Sequence, residues 1–341
     1  MNHPVKRIIG SALAIAAIVA GSAGVAAADN DNGNFPCNPS GKDVAYCNAK
    51  VGDIVDVAIG DVAPTQPSVG YDEIDYKLGR YTLGKDAINK KFDDWCADSG
   101  LVAVASAQPN ATLQDASTFT CQLAPGAETD ASRNDMKTVV VGPHGKLYMA
   151  DGHHALTSFW ETADGGPGMH IRLKVVGNLS NLNPSGFWDT MVQKNWAWLY
   201  DNNDQPIKPH QLPSTFSLKD MKNDQFRGML YFAKDVGYAT DHAPGFDEFY
   251  WGRWLRAHQN DPNLTLAGHM GDLASYLTLT KNVSQAMVAL GQNTQVSGGF
   301  TAGQLGALPA FSDKEFAKLS KPYSDAKPGK LAYMLAYKAA H

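Results

Sequence analysis

The sequence predicts an α+β protein in which a small mixed sheet comes first and a mainly helical half follows. Three observations favour this class. A buried strand, a tight turn and a returning strand succeed one another between residues 138 and 150. A helical pattern opens directly after them, and further apolar patterns with helical spacing fill the region beyond residue 186. Strands that precede a run of helices are typical of α+β domains.

The composition is that of an ordinary folded protein. The chain has 341 residues, of which 44% are hydrophobic and 18% are charged. This length allows one large domain or two modest ones, each able to bury a core. The formal net charge is −5, so the protein is not expected to coat long nucleic acid by charge alone.

The first 28 residues have the pattern of a secretory signal peptide. Lys6 and Arg7 precede an apolar run over 8–25, and small residues up to Ala28 offer a cleavage site before Asp29. A retained membrane anchor is the alternative, although glycines and serines interrupt the run. Cleavage would remove two of the 29 basic residues and none of the 34 acidic ones, which takes the net charge to −7. We expect an exported protein, periplasmic or extracellular, without a membrane segment after cleavage.

All four cysteines follow the predicted cleavage site, as an oxidising compartment favours. Four cysteines allow three pairings. We predict Cys37–Cys47 and Cys96–Cys121, because each pair closes a local loop rich in polar residues, glycine or proline. A four-thiolate zinc site is the alternative, but the sequence has no Cys-x-x-Cys spacing. Residues 29–61 are expected to form a polar N-terminal segment clipped by the first disulfide.

The region before the hairpin mixes extended and helical patterns. Pro64 and Pro67 keep residues 62–70 extended, because a residue that precedes proline avoids the helical region. Residues 71–78 are ambiguous between strand and helix. Apolar residues at helical spacing predict a helix over 85–97, and the polar composition of 99–135 predicts a long loop.

A β-hairpin followed by a helix is the clearest local pattern in the chain. Thr138–Val141 predicts a buried strand, 142–145 a turn, and Lys146–Ala150 the returning strand. The tetrapeptide Asp151-Gly152-His153-His154 then opens a helix. The remaining predicted elements are a strand over Ile171–Val176 and helices over Phe187–Trp198, Leu218–Val236, Phe246–His258 and Asp272–Leu290.

The same tetrapeptide is the best candidate for a functional site. A glycine lets the backbone turn there, and the free N–H groups and dipole of a helix start attract anions such as phosphate. One carboxyl and two imidazoles suit proton transfer or a divalent metal held by Asp151, His153 and His154. The alternative is that Asp151 caps the helix and the histidines are half-buried structural residues. His144 lies at the far end of the returning strand and is not expected in this site.

Two groups of residues resemble a known family. They are Gln66-Pro67-x-Val69-Gly70-Tyr71-x-x-Ile74-x-Tyr76-Lys77 and Leu147-Tyr148-Met149-Ala150-Asp151-Gly152-His153-His154. In this order they resemble the putative ParB-like nuclease family, which belongs to the ParB/sulfiredoxin fold superfamily. The resemblance extends over about residues 62–258. It implies a ParB/sulfiredoxin-like core over 62–185 and a helical extension over 186–341 that packs on this core.

The resemblance also implies a phosphate site at the turn. In ParB-type proteins the turn between strand and helix holds nucleotide phosphate, a role that falls here on Gly152. Many members place a basic residue just after the turn, where this chain has Ala155. Sulfiredoxins carry a catalytic cysteine in the turn, and His153 stands near that position, which excludes sulfiredoxin chemistry.

Further roles fall on the first group of residues. Glu73 resembles a glutamate that acts as a base beside the turn in nucleotide-using members. Gln66, Lys77 and Arg80 are the expected substrate- or phosphate-binding neighbours. The alternative for Glu73 and Lys77 is a surface ion pair four residues apart on a helix.

Three functions therefore remain open from the sequence. The first is an exported phosphoester-processing enzyme, nuclease or phosphatase-like, that acts at the Asp-Gly-His-His turn. The second is a nucleotide-dependent phosphotransferase, and the third is a non-catalytic ligand-binding or scaffold module. The acidic charge favours a small phosphorylated ligand or nucleotide over long nucleic acid.

Overall fold

The structure is a computed structural model that describes residues 44–240 and 245–341. Its helices are α1 (Val44–Cys47), α2 (Tyr71–Thr82), α3 (Lys90–Asp98), α4 (Asp130–Asp135), α5 (His153–Glu161), α6 (Pro184–Gln193), α7 (Gln225–Ala233), α8 (Asp247–Ala257), α9 (Leu273–Ala289), α10 (Asp313–Leu319) and α11 (Lys330–Ala340). Its strands are β1 (Ile54–Ala58), β2 (Val62–Ala63), β3 (Ser68–Val69), β4 (Val104–Ala107), β5 (Phe119–Cys121), β6 (Thr138–Val141), β7 (Leu147–Asp151), β8 (His170–Asn178), β9 (Lys222–Asn223), β10 (Gln295–Ser297) and β11 (Phe300–Thr301). The predicted signal peptide lies outside the described residues.

A five-stranded mixed sheet organises the first half of the chain, in the order β1-β8-β6-β7-β2. The β6–β7 hairpin is antiparallel, β8 runs parallel to β6, and β2 runs parallel to β7. The edge strand β1 comes from the segment predicted to be polar, and it pairs antiparallel with β8. The predicted α+β fold with a small mixed sheet is therefore confirmed, and so is the predicted hairpin.

Helices cover both faces of this sheet because its strands alternate. Along β8, Ile171, Leu173 and Val175 are fully buried, whereas the residues between them are half-buried. That face belongs to a large apolar cluster shared with α2, α3 and α5. On the opposite face, Val140 and Ala150 pack with residues of α6. The β6–β7 hairpin is thereby fixed from both sides.

The helical half encloses a second apolar cluster, built around the fully buried side chains of Trp251, Tyr276 and Met334. The C-terminal helix α11 packs along α2. Its Leu331 belongs to the second cluster, while its Tyr337 packs against the first. Helix α2 therefore lies between the sheet and the C-terminal helices, and its first turn reaches the candidate site.

Two predictions about the region before the hairpin were wrong in part. The predicted helix over 85–97 begins only at Lys90, because the Asn89 side chain accepts the Lys91 N–H and caps the helix there. The predicted loop over 99–135 contains the β4–β5 hairpin and helix α4. Side-chain capping of α4 and a disulfide from α3 to β5 stabilise this structure in a sequence without a clear apolar period. The ambiguous residues 71–78 are helical, within α2.

Two later helices are shorter than predicted. In the segment predicted as a helix over Leu218–Val236, residues 222–223 instead form β9, which pairs with β3. Helix α7 begins after Asp224, whose carboxylate accepts the N–H groups of Phe226 and Arg227. The helix predicted to reach Trp198 ends at Gln193, because Asn195 adopts a left-handed φ of 54°.

The predicted Cys96–Cys121 disulfide is confirmed. It joins α3 to β5, closes a sequence separation of 25 residues, and Cys96 is fully buried. The other predicted pair includes Cys37, which lies outside the described residues. Within the described part of the chain, helices fall short of the length and apolar character needed to cross a membrane.

Candidate functional site

A sharp turn at Gly152 joins strand β7 to helix α5. Gly152 has a φ of 122°, a backbone angle that residues with a side chain rarely adopt. A Cβ atom there would also lie 2.5 Å from the Met149 side chain and 2.8 Å from that of Lys137. Both the backbone angle and the close contacts therefore require glycine. Because α5 begins directly after Gly152, His153 and His154 are its first two residues.

His153 is buried and holds the extended segment that follows β2. Its Nε2 accepts the Thr65 N–H at 3.0 Å and lies 3.2 Å from the Thr65 hydroxyl, which donates to the Met149 carbonyl. The neutral ring must then carry its proton on Nδ1. That nitrogen is buried and without a hydrogen-bond partner among the described residues. Burial, reinforced by Arg227, lowers the pKa of His153 well below its ordinary value, so the ring is neutral.

His154 connects the start of helix α2 to Glu73. Its Nε2 accepts the Gly70 N–H at 2.9 Å, and its Nδ1 lies 3.2 Å from Glu73 Oε2. Burial and the nearby cation Arg227 lower the pKa of His154 well below its ordinary value. The neutral ring thus accepts through Nε2 and donates through Nδ1 to the Glu73 carboxyl.

Glu73 lies in the first turn of α2 and is only 6% exposed. Burial, with the nearby carboxyl group of Glu248, raises its pKa to about 7. Lys77 and Arg227 act in the opposite direction and favour the carboxylate. Glu73 is therefore a buried carboxyl group that can gain or lose a proton near neutral pH, rather than half of a surface ion pair.

These side chains meet at a cavity of about 580 Å³. Its described lining includes seven of the predicted site residues: Gln66, Glu73, Lys77, Asp151, Gly152, His153 and His154. The remaining one, Arg80, does not line the cavity; its guanidinium pairs with Asp86 at 2.6 Å and contacts the Tyr76 hydroxyl. Arg80 lies two turns further along α2 than Glu73, so the structure does not bring it to this cavity, and its role in phosphate binding stays a prediction.

The cavity is rich in cations. Among the described residues, five basic side chains line it against four acidic ones, in a chain whose net charge is negative: Lys77, Lys137, Lys194, Arg227 and Lys234 against Glu73, Asp151, Asp247 and Glu248. These cations come from elements other than the turn itself, which carries Ala155 where a basic residue was expected. The cavity can therefore hold an anion despite this replacement.

Arg227 is the most buried of these cations, at 3% exposure. Its Nη1 donates to Gln66 Oε1 and to the Ser68 carbonyl, each at 2.8 Å, and its guanidinium lies over the Phe249 ring at 3.7 Å. Its Nε is buried without a partner among the described residues. Gln66 thus positions Arg227, and part of the donor capacity of this guanidinium is unused.

Lys77 and Lys137 lie on the side of the cavity next to α3. Burial alone would lower the pKa of Lys77, but Asp94 and Asp98 of α3 outweigh it and raise that pKa. Asp98 also pairs with Lys137 at 3.2 Å and is the main cause of the raised pKa of Lys137. Both amines therefore stay protonated. The Cys96–Cys121 disulfide anchors α3, the helix whose aspartates compensate these two positive charges.

A possible metal-ligand set differs from the predicted one. Among the described residues, candidate ligand atoms of Glu73, His154 and Glu248 lie within 4.8 Å of one another, and Asp151 and His153 are not in this group. A metal on His154 Nδ1 would require the proton to move to Nε2, which faces the Gly70 N–H. The hydrogen bonding therefore works against a metal at this histidine, and metal binding by Asp151, His153 and His154 stays a prediction.

Fold and site together define a class of protein: an α+β domain whose strand-to-helix turn lines a cation-rich cavity. A family model described as "Putative ParB-like nuclease" matches residues 55–257, and the chain belongs to this family. Among solved structures, the chain is similar to protein Atu1540 from Agrobacterium tumefaciens. The identity is 18%, the match covers 69% of this chain and 92% of the other, and the TM-score is 0.43. No curated protein matches the chain.

Sequence reasoning missed Arg227, Lys137 and Asp247 as site residues. Arg227 and Asp247 enter from the starts of α7 and α8, far along the chain from Glu73. The available signal was an arginine three residues after a capping aspartate, within an otherwise apolar helix. Such an arginine is buried only where it has a specific partner, and the partner, Gln66, lies 161 residues away.

Proposed function

We propose that this protein hydrolyses small phosphoesters in the cleft at the Gly152 turn, with Glu73 as the general base. The observation that carries the proposal is the state of Glu73. It is a buried carboxyl group with a pKa of about 7, held by the His154 Nδ1–H and surrounded by cations. General bases work best when their pKa lies near the operating pH.

Anion binding is supported by the cations and by the helix start. Lys77, Lys137 and Arg227 line the cavity, and the first turn of α5 has no side-chain cap on its N–H groups. Helix starts and cations stabilise phosphate oxygens, and more strongly so where charge develops during phosphoryl transfer. A phosphate that reaches the floor of the cleft would therefore contact positive groups from several elements.

The hydrolytic step follows from the position of Glu73. The Glu73 carboxylate removes a proton from a water molecule whose oxygen attacks phosphorus, and the bond from phosphorus to the ester oxygen breaks. His154 is neutral and donates to Glu73, so it fixes the orientation of the base without exchanging the proton itself. His153 keeps Thr65 and the adjoining extended segment in place. Both histidines are thus positioning residues in this proposal.

The cleft suits a small substrate. Its volume of about 580 Å³ falls in the range of small-molecule pockets. Trp196 and Phe249 in its lining can contact an organic group attached to the phosphate. The negative net charge disfavours long nucleic acid. A small phosphorylated compound or a nucleotide is therefore the proposed ligand.

Steady-state hydrolysis of aryl phosphate mono- and diesters tests this proposal. We expect the wild type to turn over at least one of them and Glu73→Gln to lower kcat by roughly 100-fold or more, because the amide cannot accept the proton. Glu315→Gln, a change at a surface glutamate on α10, is the matched control and should leave kcat unchanged. A wild type that hydrolyses none of the esters, or a Glu73→Gln variant as active as the wild type, contradicts the proposal.

We also propose that the protein is exported. The basic start, apolar run and small residues up to Ala28 support this, and the buried Cys96–Cys121 disulfide fits an oxidising compartment. The measurement is N-terminal sequencing of the protein recovered from outside the cytoplasm of a bacterial host. The expected sequence begins near Asp29, and retention of Met1 would contradict cleavage.

A further inference from the structure

Arg227 is held more firmly than an unpaired lysine could be in the same cavity. Its side chain is only 3% exposed, and its Nη1 donates to Gln66 Oε1 and to the Ser68 carbonyl. The Phe249 ring covers the guanidinium at 3.7 Å. A guanidinium that is fixed along one edge and over one face presents its remaining N–H groups in a set direction, whereas a lysine amine is a flexible point charge.

The Nη2 group of Arg227 is the part of this guanidinium that remains for a ligand. It forms no hydrogen bond with the residues that the structure describes. Glu248 Oε2 lies 3.7 Å from it, which is beyond hydrogen-bond range. Both N–H donors of Nη2 are therefore unused, although the side chain as a whole is buried and lines the cavity.

Two contacts place Nη2 near the proposed base. A Cβ atom on Gly70 would lie 3.0 Å from the backbone carbonyl carbon of Arg227, so the arginine is held against the start of α2. Glu248, which lies 3.7 Å from Nη2, also has a carboxylate oxygen within 4.8 Å of one from Glu73. A bound phosphate could therefore contact Nη2 while a water molecule on the same phosphate contacts the Glu73 carboxylate.

Three sets of donors reach the cavity from different elements. They are the uncapped N–H groups at the start of α5, the amines of Lys77 and Lys137 next to α3, and Nη2 of Arg227 from α7. A phosphate monoester has three non-bridging oxygens and, at pH 8, two negative charges, whereas a diester has two such oxygens and one charge. With a diester, one set of donors would face an esterified oxygen and lose its charged partner, which a site built for hydrogen bonding disfavours strongly.

We propose that Arg227 binds a non-bridging phosphate oxygen through Nη2 and makes the site selective for phosphate monoesters over diesters, an inference that rests on the proposed hydrolysis. Glu73 takes a proton from water as the water oxygen bonds to phosphorus. The bond from phosphorus to the ester oxygen breaks, and its electron pair leaves with that oxygen, which takes a proton from solvent. Arg227 exchanges no proton and stabilises the negative charge on the oxygen it binds.

Two substrates that differ by one methyl group test the selectivity. They are 4-nitrophenyl phosphate and its methyl diester, which release the same leaving group. We expect the wild type to have the higher kcat/KM on the monoester. Arg227→Met keeps the apolar part of the side chain but removes every donor, so it should lower kcat/KM by roughly 100-fold on the monoester and by less than about fivefold on the diester. Glu73→Gln should lower kcat on both.

Arg253→Met is the matched control for these rates. The Arg253 guanidinium also stacks on an aromatic ring, that of Trp198 at 4.6 Å, but Arg253 is absent from the described lining of the cavity. This change should alter neither rate. Thermal unfolding verifies the fold of Arg227→Met, and Arg227→Lys is the second variant if the first does not fold; it too should lose more on the monoester. An equal loss on both esters, no loss on the monoester, or a wild type that prefers the diester overturns the role of Arg227.

A binding measurement separates this inference from the proposed function. Calorimetry at pH 8 uses phenylphosphonate and its monomethyl ester, in which a carbon–phosphorus bond replaces the bond to the leaving group. We expect Arg227→Met to weaken binding of phenylphosphonate by roughly 30-fold or more and binding of the monomethyl ester by less than about fivefold. A wild type that hydrolyses no ester overturns the proposed function. In that case equal affinities of wild type and Arg227→Met for phenylphosphonate overturn the role of Arg227 as well, whereas the expected loss supports it as an anion-binding residue.

Discussion

At the scale of single residues, the two adjacent histidines determine which group titrates. His153 accepts the Thr65 N–H at its Nε2, and His154 accepts the Gly70 N–H at its Nε2. Neither ring can therefore bind a proton near neutral pH without losing a hydrogen bond. The residue types alone suggested proton transfer by imidazole. In the mechanism proposed here the histidines are instead fixed supports, and the titrating group is the Glu73 carboxyl that His154 contacts.

The raised pKa of Glu73 predicts a stability that depends on pH. The folded chain holds this proton up to about pH 7, whereas an unfolded glutamate releases it near pH 4.5. Folding stability contributed by this group is therefore lost as the pH rises between those values. Glu73→Gln cannot ionise, so we expect its free energy of unfolding to exceed that of the wild type by up to about 3 kcal/mol at pH 8, with little difference at pH 5.

Urea denaturation at several pH values measures this difference. Glu315→Gln serves again as the control, and its difference from the wild type should stay within about 0.5 kcal/mol at every pH. A difference between Glu73→Gln and wild type that does not grow from pH 5 to pH 8 would show that Glu73 is not held in a desolvated environment. Together with lost activity, a more stable Glu73→Gln variant would indicate strain retained for function.

At the scale of elements, helix α2 shows how local and distant sequence share the construction of the site. It begins at Tyr71, directly after Gly70, where a Cβ atom would lie 2.4 Å from the Gly228 nitrogen of α7. Only glycine permits this close approach, which brings Arg227 next to the first turn of α2. From the sequence alone, residues 71–78 could be assigned to either a strand or a helix, because eight residues are too few for their hydrophobic periodicity to distinguish the two.

The elements predicted well are those whose signals are local. The β6–β7 hairpin and the start of α5 follow from a buried run, a Gly/Pro turn and the Gly152 turn, all within about twenty residues. The β4–β5 hairpin was missed because it depends on pairing across a loop and on the Cys96–Cys121 bond. Asp247 and Arg227 were missed for a similar reason: they reach the cavity through the packing of distant elements, and the local signal at Arg227, a capping aspartate three residues earlier, does not identify its partner Gln66.

At the scale of the whole molecule, helices beyond the family match contact the helix that carries Glu73. The match ends at residue 257, whereas α9 and α11 follow it. Both helices reach Asp72, the neighbour of Glu73: the Tyr276 hydroxyl donates to it at 2.7 Å, and the Lys338 amine contacts it at 2.7 Å. Asp72 is only 5% exposed. A buried carboxylate with these two partners fixes the first turn of α2 against the C-terminal helices.

A double-mutant cycle between Asp72 and Tyr276 tests this long-range connection, which joins residues 204 positions apart. Tyr276→Phe removes a donor from a buried charge, and we expect it to lower the free energy of unfolding by about 1.5–3 kcal/mol. Measured with Asp72→Ala and the double variant, the coupling energy should be about 1–3 kcal/mol. Tyr323→Phe is the matched control: its hydroxyl contacts the Leu83 carbonyl at an exposed position. This change should add to Asp72→Ala within about 0.5 kcal/mol. A coupling near zero between Asp72 and Tyr276 would mean that α9 does not support the first turn of α2, and the contact from beyond the family match would then be that of Lys338 on α11.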